Sequence, residues 1–85
     1  MISASEVPTL LASPRGQHLC REGNEAARAY GLVNKRGKVR PGIMGRIKRL
    51  VVESVHAGTD DGMFNGRVNE LCCQTIIHRR QPASG

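Results

Sequence analysis

Seven positive charges and no acidic residue fall between Lys35 and Arg49. They are Lys35, Arg36, Lys38 and Arg40, grouped around Gly37, followed by Arg46, Lys48 and Arg49. The chemistry open to such a set is electrostatic. Ammonium and guanidinium groups neutralise phosphates and release the counterions condensed on them. Clustering is the footprint of a polyanion-binding surface, whereas scattered charge reads as a solvated face with no partner. Here the excess is local: the chain carries +6 overall, yet outside residues 35–49 it has six positive and seven negative charges. A sequence pI near 10.1 speaks to association rather than to fold.

The other reactive side chains are poorly arranged for chemistry. His18-x-Cys20, and Cys72-Cys73 with His78, hold enough soft ligands for one zinc ion, but their spacings match no established ligand pattern. Cys72 also falls on an apolar stripe, where a free cysteine behaves as a small hydrophobe. No nucleophile motif, phosphate-binding glycine loop or paired carboxylates can be discerned, so neither an enzyme, a metal, a cofactor nor a small-molecule substrate is expected. Three cysteines, two of them adjacent, make a poor disulfide framework and point to a reducing, cytoplasmic setting. The first dozen residues lack the pattern of a signal peptide, and no apolar run reaches the roughly 20 residues a bilayer requires.

Eighty-five residues suffice for one domain with a thin core. Tyr30 and Phe64 are the only aromatics, so the core must be aliphatic. The same shortage disfavours single-stranded partners, whose bases stack on aromatic platforms. A thin core also makes a homodimer a reasonable expectation.

The pattern predicts an all-α domain, residues 1–85, of three to five helices with a long basic loop between two core helices. Residues 1–12 and 81–85 are expected to be flexible, although Ser3-x-x-Glu6 resembles a capping box that could start a short helix through Ala12. Ser13-Pro14 is a stronger start signal, with Ser as N-cap and Pro at the first helical position. Gly23-Asn24 reads as an interruption, with Asn24 capping a second short helix that stops at Gly31. Pro41 starts the next helix, with Ile43, Ile47, Leu50, Val51 and Val55 on one stripe and Gly58 at its end. Thr59 or Asp60 caps a last helix carrying Phe64, Val68, Leu71, Cys72 and Ile76 at the same spacing, with Pro82 closing it.

Glu25 to Leu32 looks like the first helix and turn of a helix-turn-helix, with a small residue four before a glycine. The second half does not follow at the usual distance, because the next apolar stripe begins only at Ile43. A helix, a long basic loop and a second helix take its place. In this arrangement residues 25–50 resemble the C-terminal DNA-binding domain of the actinobacterial nucleoid-associated silencers. Ala27-Arg28-Ala29-Tyr30-Gly31 is similar to the end of their first helix, and Arg36-Gly37-Lys38 to their AT-hook-like Arg-Gly-Arg loop. Arg40-Pro41-Gly42-Ile43-Met44 is similar to the start of their second helix. Lys38 replaces the second Arg, and the expected Trp of the first helix is absent. The resemblance implies a nucleoid-associated, transcription-regulating protein.

Read from the residues themselves, Gly37 would let the backbone sit deep in a groove, with Arg36 and Lys38 along an A·T-rich minor-groove floor. Lys35, Arg40, Arg46 and Arg49 would grip flanking phosphates, and Lys48 belongs to the same DNA-binding set. The expected partner is double-stranded DNA, in transcriptional repression, nucleoid association or plasmid or phage DNA maintenance. The competing expectations are a basic adaptor or inhibitor docking on an acidic protein surface, and an RNA-binding accessory protein.

Overall fold

The computed structural model describes residues 2–80. Its four helices are α1 (Glu6–Ala12), α2 (Pro14–Ala29), α3 (Pro41–Ala57) and α4 (Asp61–Arg80), and α2, α3 and α4 pack pairwise around one core. The all-α fold class expected from the apolar stripes is therefore the one observed. Residues 81–85, with Pro82, lie outside the described residues.

Local signals explain most helix ends. Ser13 Oγ accepts from the Gly16 N–H at 3.0 Å, and Pro14 occupies the first helical position of α2. At the far end of α2, Gly31 adopts a φ of 76° and the Leu32 N–H returns to the Ala27 carbonyl at 3.0 Å, a Schellman closure. Gly58 closes α3 in the same way, with φ 69° and the Thr59 N–H on the Ser54 carbonyl. Asp60 Oδ1 accepts from the Met63 N–H at 2.8 Å and so caps α4.

Three expectations need correction. The capping box at Ser3 does not form: Ser5 precedes α1 without a side-chain cap, and Ser3 Oγ instead donates to Glu6 Oε1 at 3.2 Å. The N-terminal segment is nevertheless ordered into α1, which packs on α2 and α3, so residues 6–12 are not a flexible end. Gly23-Asn24 does not break α2, which runs through it without interruption. Gly23 is buried, and a Cβ placed there would lie 2.5 Å from Ile47 Cγ2 and 3.5 Å from Phe64 Cζ. The glycine is a contact residue, where α2 packs against Ile47 of α3 and Phe64 of α4.

The core comprises Leu19, Ala27, Leu32, Val39, Ile43, Ile47, Val51, Phe64, Val68 and Cys72. Both apolar stripes read from the sequence thus point inward, and two loop residues, Leu32 and Val39, join them. One polar atom is buried with no partner among the described residues, Ser54 Oγ on α3. An unpaired buried hydroxyl costs about 1–3 kcal/mol in lost hydration. Ser54→Ala is therefore expected to stabilise the fold by about 1 kcal/mol, partly through alanine's better helix propensity. A rise in the urea midpoint at unchanged m-value would show it; a fall would mean that Ser54 finds a partner in solution.

Candidate nucleic-acid interface

The basic loop expected between α2 and α3 is present and is folded into a short β-like hairpin. Val33 and Val39 form an antiparallel bridge, and the Arg40 N–H donates to the Leu32 carbonyl at 3.2 Å. Burial of Leu32 and Val39 anchors both legs in the core. The tip is closed by the Asn34 N–H on the Lys38 carbonyl (2.7 Å) and the Gly37 N–H on the Asn34 carbonyl (2.9 Å). Asn34 Oδ1 also accepts from the backbone N–H groups of Arg36 (2.9 Å) and Lys38 (3.1 Å). Arg36, Gly37 and Lys38 are thereby held by an asparagine with no charge of its own.

Gly37 has a φ of 78°, the left-handed region where a Cβ is disfavoured, and its surroundings are open. Its first task is thus to turn the chain. Arg28, outside the set of site residues drawn from the sequence, donates from Nη1 to the Gly37 carbonyl at 2.8 Å. It ties the end of α2 to the hairpin tip across nine residues. The only available signal for that role was an arginine in the last turn of a helix.

All eight sequence-derived site residues, Lys35, Arg36, Gly37, Lys38, Arg40, Arg46, Lys48 and Arg49, are exposed. Among the described residues none of the seven cations forms an ion pair. The ion pairs found are Arg15–Asp61, His18–Asp61 and His18–Glu22, on α2 and α4. Arg40 stands at the N-cap of α3, where no side chain caps the helix. The amide donors of the first turn there face a positive dipole end, which favours an anion.

The three cations on α3 do not share one face. Two residues along a helix turn it by ~200°, so Arg46 and Lys48 project on nearly opposite flanks. Arg46 lines the grooves against α4, and Lys48 those against α1 and α2. Between the flanks runs an exposed ridge of Gly42, Gly45 and Arg49, and a Cβ at either glycine would meet nothing within 4 Å. A partner resting on that ridge can approach the α3 backbone closely while cations reach it from both sides.

The titratable groups elsewhere have structural explanations. Cys72 is fully buried, and burial raises its thiol pKa, with Cys73 adding to the effect. Burial also raises the Cys20 thiol, partly offset by Lys48. Neither environment favours the thiolate that a metal or a reaction would need. His18, Glu22 and Asp61 do bring three ligand atoms within 4.8 Å of one another. However, Asp61 already accepts from Arg15 and lies 2.8 Å from His18 Nε2, and these two partners, His18 first, hold its carboxyl below the usual range. The cluster is a satisfied ion-pair network joining α2 to the start of α4. The zinc sets weighed from the sequence, around Cys20 and around Cys72, Cys73 and His78, are not brought together among the described residues.

One groove, of about 740 Å³, lies between α2 and α3 and is lined by Cys20, Arg21, Arg28, Met44 and Lys48 among others. Among the described residues no helix is long and apolar enough to cross a membrane. No protein-family model matches the chain, and comparison with curated proteins and with solved structures likewise gives no significant match.

Proposed function

We propose that this chain is a duplex-DNA-binding protein that engages its target with the Asn34–Lys38 hairpin and the N-terminal half of α3. The observation that carries the reading is the set of seven exposed cations, unpaired among the described residues, on one braced hairpin and the helix beside it. Like charges crowded together with no ion-pair partner among the described residues repel one another and gain the fold little. Phosphates repay that crowding through counterion release.

In this reading the hairpin tip enters a groove, with Arg36 and Lys38 contacting its floor and Lys35 and Arg40 its walls. Arg46, Lys48 and Arg49 hold phosphates on either side of the Gly42–Gly45 ridge. Bracing by Asn34 and Arg28 lowers the ordering cost that a flexible loop would incur on binding. The likeness to the silencer DNA-binding domains adds to this reading, which places the protein in transcriptional repression, nucleoid association or DNA maintenance. Its working unit is a homodimer in the cytoplasm. Phe64 is fully buried and Tyr30 alone is left near the surface, which disfavours a single-stranded partner.

Fluorescence-anisotropy titration of a labelled duplex at several salt concentrations is the direct test. The logarithm of the binding constant should fall linearly with log salt, with a slope near −0.9 per phosphate neutralised, or about −4 to −6 for this set of cations. Binding weaker than about 100 μM at low salt, below ordinary non-specific affinity, would overturn the reading. A purified acidic protein surface that binds more tightly than DNA would favour the adaptor alternative.

A further inference from the structure

We infer that the groove between the start of α3 and the last turns of α4 is a phosphate-binding site, in which Gln74 and His78 join Arg40 and Arg46 on a phosphate of the duplex backbone. This rests on the duplex reading above and extends it to α4, which supplied no residue to the site drawn from the sequence. The groove, of about 610 Å³, is lined by Arg40, Ile43 and Arg46 on one side and by Gln74, Thr75 and His78 on the other.

Its charge sets it apart. Among the described residues, three further grooves along α3 each hold a carboxylate: Glu25 in the one shared with α2, Glu53 in the one beside α1, and Glu53 with Glu70 in the one further along α4. This groove holds none, and its ionisable side chains, Arg40, Arg46 and His78, are all bases. A guanidinium is a donor only. Arg15 and Arg28 donate within the chain, to the Thr59 and Gly37 carbonyls. Among the described residues the Arg40 and Arg46 side chains, both exposed, have no such acceptor and no ion-pair partner. Two unspent guanidiniums on a groove free of carboxylates suit a phosphate, which accepts from both.

Position selects the phosphate of a duplex. The Arg40 N–H closes the hairpin on the Leu32 carbonyl, so the groove begins where the hairpin leg ends. A duplex that takes the hairpin tip and lies along α3 carries one strand past this opening. Gln74 and His78 are four residues apart, ~6 Å along α4 and on one face of it, so both reach that strand. Thr75 does not compete for the phosphate, since its Oγ1 donates to the Leu71 carbonyl at 2.8 Å. His78 makes the contact pH-dependent, because histidine gains its second ring proton between about pH 8 and 5. The charged groups facing it are Arg40 and Arg46; α2 places none in the groove, and Gln74 and Thr75 beside it are neutral. Protonation thus adds a cation where the phosphate sits, and duplex affinity rises as pH falls.

Fluorescence anisotropy on a labelled duplex at pH 8 and pH 5.5, over several salt concentrations at each, tests this. Wild-type affinity should rise about three- to fivefold at the lower pH, what an exposed charge pair contributes, and the salt slope should steepen by about 0.9. His78→Gln should remove that gain, whereas His56→Gln, an exposed histidine outside the groove, should keep it. At pH 8, Gln74→Glu should weaken binding about threefold more than Asn69→Glu, an exposed change of equal charge outside the groove, with thermal melts confirming that both fold. A duplex that binds His78→Gln as it binds wild type at pH 5.5, and Gln74→Glu as it binds Asn69→Glu, would overturn the site and leave the duplex reading standing. Histidine ring NMR signals followed against inorganic phosphate separate the sources. Were no duplex bound, a His78 signal moved by inorganic phosphate would overturn only the duplex as the source, and one left unmoved would overturn the groove as well.

Discussion

Gly23→Ala is expected to destabilise the fold by about 1–3 kcal/mol, although alanine is the better helix former. The added methyl would stand 2.5 Å from Ile47 Cγ2, and Phe64 Cζ closes the other side at 3.5 Å. Both neighbours are fully buried, so neither can swing into solvent. Ile47 is β-branched and on a helix, where one χ1 rotamer is strongly preferred, and it yields only by moving α3. Such a displacement would disturb α2, α3 and α4 together, since they meet at this point. Gly45→Ala on α3 provides the opposite control: it is exposed, its Cβ would meet nothing within 4 Å, and the gain in helix propensity should stabilise by about 1 kcal/mol. Parallel urea melts should thus separate two identical substitutions by roughly 2–4 kcal/mol, of a total that for a domain is only about 5–15 kcal/mol. Adding Ile47→Ala to Gly23→Ala should cost less than the sum of the two, because the clash is shared. A Gly23→Ala protein as stable as wild type would mean that α2 and α3 do not approach this closely in solution.

That glycine also shows what the sequence could and could not convey. Ser13-Pro14, Pro41, Asp60 and Gly58 were legible because each answers a need within a few residues: a cap, a fixed φ, a dipole, a left-handed turn. The inner stripes of α3 and α4 were legible because burial repeats with the helical period. Gly23 was misread because its reason lies 24 residues away, at Ile47, where no local rule reaches. The hairpin falls between these cases. Asn34 and Gly37 are turn residues and Val33 and Val39 are strand formers, so the basic loop was legible while its antiparallel bridge was not. Arg28 offered only its place in the last turn of α2, which does not point to the Gly37 carbonyl. The cations themselves were plain from the start. Their distribution over two flanks of α3 became evident only once the helix was placed against α4 on one side and α1 on the other.

Substituting the cations by alanine in pairs is expected to give the largest functional effects, and the two pairs should fail differently. Arg46→Ala with Arg49→Ala removes two phosphate contacts. Affinity should fall on every duplex alike, and the salt slope should shrink by about 2, since each phosphate contributes close to one unit. Arg36→Ala with Lys38→Ala removes the hairpin's groove contacts. A lost base contact costs about 1–3 kcal/mol on the preferred sequence, so discrimination between A·T-rich and G·C-rich duplexes should collapse more than binding overall. Asn34→Ala separates charge from geometry, because it removes no charge but frees the Arg36 and Lys38 N–H groups that hold the tip. If the hairpin reads a groove through its shape, Asn34→Ala should leave the salt slope intact and lower the A·T preference nearly as far as the Arg36/Lys38 pair does. A hairpin serving only as a store of positive charge would leave Asn34→Ala binding like wild type. Equal losses from the two cation pairs on all sequences would likewise refute groove reading, while leaving duplex binding in place.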